Sequence, residues 1–118
     1  MANPYGIPEI TAKELAEKRS GGGTFRLVDV REDHELHMAN LGDEVIHVPL
    51  SEIVENRLEA LPPELADQDQ EIVVFCHHGA RSAQVAAFLS GNGYSKVINL
   101  EGGIHAYAMN VDPTVGTY

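Results

Sequence analysis

The most constraining feature of this sequence is an unbroken apolar run, Ile72–Phe75, which a helix-like run over residues 82–89 follows closely. A strand with one face in water alternates apolar and polar residues, whereas a continuous apolar run is typical of a parallel strand covered by helices on both faces. In the second run, Val85 and Leu89 recur at helical spacing. Together the two runs predict one strand–helix unit of a parallel sheet.

Strand-like and helix-like segments alternate along the rest of the chain as well. Further strands are predicted over residues 25–30, 45–48 and 96–100, and further helix-like segments over residues 11–19, 32–38, 52–60 and 104–109. Thr11 and Glu14 form a capping-box pattern at the first helix, and Ser51 is the predicted N-cap of the third. This order predicts an α/β fold with an open, mostly parallel sheet and helices on both faces.

Length and charge limit the classes of function. The chain has 118 residues, 43% of them hydrophobic, so we expect one domain over residues 1–118, with a core at about 9–110 and irregular ends at 1–8 and 111–118. No apolar stretch is long enough for a membrane span, and residues 1–4 lack a signal-peptide pattern, which predicts a cytoplasmic protein. The formal net charge of −10 argues against nucleic acid and anionic membranes as partners.

The only cysteine of the chain, Cys76, lies where the apolar strand meets the next helix. Backbone N–H groups of such a turn, together with the positive end of the helix, are expected to favour a thiolate and to hold an anion beside it. Cys76 is therefore a candidate nucleophile, although a buried core cysteine is the structural alternative. A single cysteine excludes a disulfide within the chain and leaves no resolving thiol.

Three loops follow predicted strands directly, at residues 29–32, 76–81 and 101–103. In open α/β sheets, sites form in the crevice outside the carboxyl ends of the strands, so these loops are expected to meet in space. Together with residues 46–50 and 99–104, the segments 29–32 and 76–82 resemble the rhodanese-like domain family, in a match that spans about residues 9–110.

The resemblance implies an open, mostly parallel five-stranded sheet with helices on both faces. It also implies a sulfurtransferase that carries a sulfane sulfur as a persulfide on Cys76. It implies a binding loop for the persulfide, formed by His77, His78, Gly79, Ala80, Arg81 and Ser82. The donor would be thiosulfate or a persulfide, and the acceptor a thiol or cyanide, with a protein donor or acceptor as a further possibility. No cofactor is implied.

The spacing within this loop discriminates between sulfur and phosphate chemistry. Four residues separate Cys76 from Arg81, whereas dual-specificity and low-molecular-weight tyrosine phosphatases have five between the cysteine and the arginine. The smaller loop favours sulfur. Family members that use thiosulfate best have a basic side chain directly after the cysteine, and here that position is His77, which leaves the donor open.

Other residues are expected to support the loop or to form the rim of the pocket. Arg81 either clamps an anion or, as we favour, ties the loop to an acidic residue, while Arg31 is either a paired surface arginine or part of the pocket. Asp29 is expected to accept backbone N–H bonds. The remaining candidates are Gly102, Gly103 and His105.

No metal site is predicted, although the chain has six histidines. His34 and His37 have helical spacing and His77 follows Cys76, but adjacent residues rarely point at one ion, and no second cysteine or matching histidine pair completes a tetrahedral set. Two functional alternatives to a sulfurtransferase remain open at this point. One is a sulfur-relay or interaction module with little small-molecule turnover, and the other is a cysteine-based redox sensor.

Overall fold

A computed structural model describes residues 3–118, so the part of the expected irregular N-terminus at residues 1 and 2 lies outside the described residues. The sheet has five strands, all parallel, in the order β1-β5-β4-β2-β3. Their bounds are Glu9–Ile10 (β1), Arg26–Asp29 (β2), Ile46–His47 (β3), Ile72–Phe75 (β4) and Val97–Leu100 (β5). The predicted fold class, an open parallel sheet of five strands, is confirmed.

Four α-helices connect and cover the strands: Ala12–Ser20 (α1), Leu50–Asn56 (α2), Ala80–Gly91 (α3) and Gly103–Asn110 (α4). Short 3₁₀ turns lie at Asp33–His37, Arg57–Ala60, Pro63–Leu65 and Pro113–Val115. The predicted capping box is present at α1, where Thr11 Oγ1 accepts the Glu14 N–H at 3.1 Å and Glu14 Oε1 accepts the Thr11 N–H at 2.9 Å. Within residues 3–118, none of the helices is both long and apolar enough to cross a bilayer.

Strand β4 lies at the centre of the sheet and separates two apolar clusters. Ile72 and Val74 pack with side chains of α2 and α3 on one face, and Val73 and Phe75 pack with side chains of α1 and α4 on the other. All four residues are buried. Burial on both faces is the physical reason for the continuous apolar run in the sequence, and it holds the carboxyl end of β4 in a fixed position.

The structure differs from the sequence-based expectations at four places. β1 was not predicted, α2 begins at Leu50, and residues 113–115 of the expected irregular tail form a 3₁₀ turn. Ser51 is not the N-cap of α2, because its hydroxyl donates to Glu32 Oε1 at 2.6 Å and its backbone already lies inside the helix. The predicted helix-like segment at residues 32–38 is a 3₁₀ turn.

Candidate functional site

Cys76 directly follows β4 and is 1% exposed. Its Sγ accepts the Gly79 N–H at 3.1 Å, and Ser82 Oγ lies 3.4 Å from it. The Cys76 carbonyl accepts the Ile104 N–H of α4 at 2.9 Å, so the backbone of this residue is held from the other side. The sulfur is therefore buried and, at the same time, is an acceptor for the start of α3.

Gly79 and Ser82, at the start of α3, contact this sulfur. Gly79 precedes the helix with φ +108°, a left-handed conformation that glycine adopts without steric cost. Ser82 Oγ lies 2.5 Å from Asn99 Oδ1 and 3.3 Å from the Gly79 carbonyl oxygen. Because a hydroxyl has one proton, Ser82 donates at a given moment to one of these oxygens or to Sγ. Asn99 Nδ2 donates to the Gly79 carbonyl at 3.2 Å, which ties β5 to the loop. Asn99 was not among the sequence-predicted site residues.

Arg81 forms a bidentate ion pair with Glu35. Its Nη1 and Nη2 lie 2.6 Å from Oε1 and 2.8 Å from Oε2 of Glu35. Donation from Arg81 is the main reason why the pKa of Glu35 is far below its usual range, despite the opposing effect of burial. The pair links the Cys76 loop to the 3₁₀ turn after β2, and Glu35 was not a predicted site residue.

Arg31 has no exposed surface, so the interpretation of a paired surface arginine is wrong. Its guanidinium donates to both carboxylate oxygens of Asp29, with Nη2 2.8 Å from Oδ2, and to the Ala39 carbonyl at 2.8 Å. Asp29 Oδ1 also accepts the Arg31 N–H at 2.9 Å. Acidic neighbours in the sequence suggested a solvated arginine, but one of them, Asp29, is the buried partner that makes burial of the Arg31 charge possible.

Tyr118 connects these two arginine–carboxylate pairs, although sequence analysis placed it in an irregular tail. Its hydroxyl donates to Glu35 Oε2 at 2.7 Å and accepts from Arg31 Nη1 at 3.1 Å. Burial raises the pKa of Tyr118, which keeps the phenol in the form that can donate. Its ring stacks on His77, with centroids 3.8 Å apart and planes 8° apart. Tyr118 therefore joins the tail to the Cys76 loop.

Gly102 and Gly103 let α4 approach the Cys76 loop closely. Both have positive φ, +75° and +63°. A Cβ on Gly103 would lie 2.4 Å from the His77 carbonyl oxygen and 2.5 Å from that of Cys76. These carbonyls accept N–H bonds from the first turn of α4, including the His105 N–H to His77 at 3.1 Å. Gly103 thus serves a close backbone contact with the loop, whereas a Cβ on Gly102 would lie 2.7 Å from Ala106 Cβ of α4 itself.

His77, His78 and His105 come together beside the loop, a proximity that sequence reasoning did not find. The ring centroids of His77 and His78 are 3.9 Å apart, and those of His78 and His105 are 4.9 Å apart. Burial, followed by the repulsion of a charge on His78, lowers the pKa of His77. His77 is consequently neutral at pH 7. His34 and His37 are exposed and lie apart from this group, which contains His77, His78 and His105 alone.

We expect Glu35→Gln to destabilise the protein by about 2 kcal/mol at pH 7, less than loss of a fully buried ion pair costs because a third of the Arg81 side chain is exposed. The folded-state pKa of Glu35 lies below its unfolded value. The pair therefore contributes fully above about pH 4.3 and its contribution declines as the pH falls further. Urea unfolding of both proteins at pH 7 and at pH 3.5 measures this difference. A difference that grows at pH 3.5 would contradict the expectation.

The chain is similar to proteins of known family. Residues 11–110 match the rhodanese-like domain. The chain is 31% identical over 109 residues to a sulfurtransferase of Allochromatium vinosum, a comparison that covers 92% of this chain and 95% of the relative. It is 34% identical over 102 residues to a putative sulfur carrier protein of Bacillus subtilis, covering 86% of this chain and 51% of that protein.

Solved structures show the same relationship. The crystal structure of a rhodanese-related protein from Thermoplasma volcanium matches with a TM-score of 0.73 at 30% identity, covering 89% of this chain and 94% of that one. The family match takes in most of the sequence, including β2, the Cys76 loop and the glycine pair before α4. The chain belongs to the rhodanese-like domain family.

Proposed function

We propose that this protein is a sulfurtransferase that carries a sulfane sulfur as a persulfide on Cys76. The Cys76 thiolate attacks the outer sulfur of a donor, the donor's sulfur–sulfur bond breaks, and the remainder leaves with the electron pair as a thiolate, or as sulfite from thiosulfate. A nucleophilic acceptor then attacks the terminal sulfur of the persulfide. That second step breaks the new bond and regenerates the Cys76 thiolate, so one transfer is divided into two substitutions.

The observation that carries this proposal is the contact between Gly79 N–H and Cys76 Sγ, 3.1 Å long, at the start of a twelve-residue helix. An N–H donor and the positive end of a helix both stabilise negative charge on sulfur. They act on the thiolate before transfer and on the anionic persulfide after it. Ser82 adds a hydroxyl that can turn from Asn99 toward the sulfur.

The charged side chains near the loop act by positioning. Arg81 is held by Glu35, and Arg31 is held by Asp29, so each guanidinium already has a carboxylate partner. Neither carboxylate is needed as a base, because a thiolate attacks without giving up a proton. We therefore assign Asp29, Arg31, Glu35 and Arg81 to fixing the loop, and the anion-holding role to the loop backbone and α3.

Neutral His77 favours an organic or protein persulfide as donor over the thiosulfate dianion. We expect His77→Arg to raise kcat/KM for thiosulfate by roughly tenfold, since one added charge at close range is worth about 1.4 kcal/mol in partly screened surroundings. Turnover of glutathione persulfide is expected to rise less, because its carboxylates are separated from the reacting sulfur, whereas both charges of thiosulfate lie on one small anion. Steady-state rates with each donor measure this difference.

The control for that variant is His37→Arg, which adds the same charge at an exposed position of the Asp33–His37 turn. It should change thiosulfate turnover by less than about twofold. If both variants raise turnover equally, the general field of a protein with net charge −10 limits thiosulfate use, and the role assigned to His77 is wrong.

A relay between proteins is a second candidate, favoured by one observation: a relative is named as a putative sulfur carrier protein. Under this alternative a protein donor such as a cysteine desulfurase would load Cys76 much faster than small donors at equal concentration. Efficient turnover of small donors without any protein partner would count against it.

The proposal is tested by intact-mass measurement of the protein after incubation with glutathione persulfide, thiosulfate or a cysteine desulfurase with cysteine. We expect the mass of one added sulfur with at least one donor, and its removal by cyanide or by a thiol. Absence of added sulfur with all three donors would refute the proposal. Peroxide modification of Cys76 in the absence of sulfur loading would instead indicate a redox sensor.

A further inference from the structure

We propose that His77, His78 and His105 form a binding site for a divalent zinc ion beside the Cys76 loop. No metal was expected from the sequence, because that reasoning considered only the adjacent pair and the separate pair His34 and His37. The fold adds the third imidazole from α4. This site is distinct from the sulfur-carrying group, and its existence does not depend on the proposed sulfur transfer.

The spatial arrangement of the three side chains is the first observation. One nitrogen from each imidazole lies within 4.8 Å of the corresponding nitrogens of the other two. The His105 N–H donates to the His77 carbonyl at 3.1 Å, so the backbones that carry these two ligands are fixed to each other. His78 follows in the same loop. The site therefore joins two elements that are already held together by hydrogen bonds.

The second observation is that two ring nitrogens lack a partner. His77 Nε2 and His105 Nδ1 are buried and have no hydrogen bond to any of residues 3–118. A buried polar atom without a partner costs about 1–3 kcal/mol, and such an atom in a folded protein calls for an explanation, such as an ion. A metal ion between the imidazoles would accept the lone pairs of both nitrogens.

The charge of the protein also suits a cation. Imidazole coordinates metal ions through its neutral ring, and the formal net charge of −10 attracts cations to the protein.

The ligand set favours zinc. Within the described part of the chain, the group contains three imidazoles and neither a carboxylate nor a thiolate. Three protein ligands with a fourth, open position are typical of tetrahedral zinc sites, with Zn–N distances near 2.0–2.1 Å. Ligand nitrogens in such a site are about 3.3 Å apart, so the rings must move closer together. His78, whose side chain is exposed, is free to make that adjustment.

The test is titration of the full chain with Zn²⁺ in a thiol-free buffer. Isothermal calorimetry and competition with a zinc indicator measure the binding. We expect one ion per chain. His105→Phe keeps an aromatic ring but removes the ligand nitrogens, and His78→Ala removes the second ligand. Each of these single variants should weaken zinc binding at least about tenfold. His37→Ala, which removes an exposed histidine outside the group, should change the affinity by less than about twofold.

Cys76→Ser separates this site from binding by the thiolate. If the three imidazoles hold the ion, the variant binds zinc as the unaltered protein does, and Co²⁺ gives a tetrahedral visible spectrum without a sulfur-to-metal charge-transfer band. Loss of binding in Cys76→Ser would overturn the proposal. Absence of one-to-one binding, or equal affinity in His105→Phe, would do so too. These readouts leave sulfur transfer out, so the two proposals can fail separately.

Discussion

Cys76→Ser is expected to lower sulfur loading of this protein by more than about a thousandfold, because a serine hydroxyl at neutral pH is a far weaker nucleophile than a thiolate and cannot form a persulfide. The side chain keeps nearly the same size, and the Gly79 N–H that now contacts Sγ at 3.1 Å can still donate to a hydroxyl oxygen. Stability should therefore change little. Intact-mass measurement after donor treatment, together with thermal unfolding, distinguishes loss of chemistry from loss of fold.

Ser82→Ala is the matched comparison, since it removes the neighbouring hydroxyl and leaves the thiol in place. Ser82 Oγ lies 3.4 Å from Sγ, and loading of this variant should fall by about tenfold at most, because the N–H of Gly79 and the helix end remain. Added sulfur on Cys76→Ser at the level of the unaltered protein would place the carrier elsewhere and overturn the assignment.

Gly103→Ala is expected to cost about 3 kcal/mol of folding free energy. The cost combines the positive φ of +63° with the overlap between the new Cβ and the His77 carbonyl oxygen, 2.4 Å away. The new Cβ would also approach the Cys76 carbonyl oxygen. Both carbonyl oxygens accept N–H bonds from α4, so they cannot move away without breaking those bonds. For a domain of this size the melting temperature should fall by roughly 10 °C, as measured by calorimetry or circular dichroism.

Gly91→Ala provides the control for that substitution. Gly91 is the last residue of α3, and an added Cβ there would meet nothing within 4 Å. Alanine is a better helix former than glycine, so this variant should be as stable as the unaltered protein or more stable by a few tenths of a kcal/mol. Equal destabilisation by both variants would mean that the close contact at Gly103 has no special energetic role.

The architecture was predictable because its signals are local and repeated. The apolar run of β4, the capping box of α1 and the glycines that end helices all lie within a few residues of the elements they specify. β1 gave no such signal, since it has only two residues and gains its strand character from pairing with β5. Ser51 was wrongly predicted as an N-cap for a similar reason: its hydroxyl donates to Glu32, nineteen residues away along the chain.

The sequence pointed to the Cys76 loop and also to Gly103 and His105 outside it, because their segment follows a predicted strand directly. Glu35, Asn99 and Tyr118 act through contacts between distant segments, and nothing near them in the sequence indicates their partners. One signal could have pointed to Glu35: it lies three residues after Glu32, in a capping-box arrangement that the structure contains. His105 was expected at the rim of the pocket, but the closeness of its ring to those of His77 and His78 depends on side-chain placement that the sequence does not specify.

The stacking of Tyr118 on His77 has a consequence for any polypeptide that is joined to this chain after residue 118. Such a segment would start next to the His77 ring of the Cys76 loop. If Cys76 carries a persulfide as proposed, a thiol on a short linker there would reach it at an effective concentration in the millimolar range, without any docking surface of its own. For the same reason, purification tags should not be attached after residue 118.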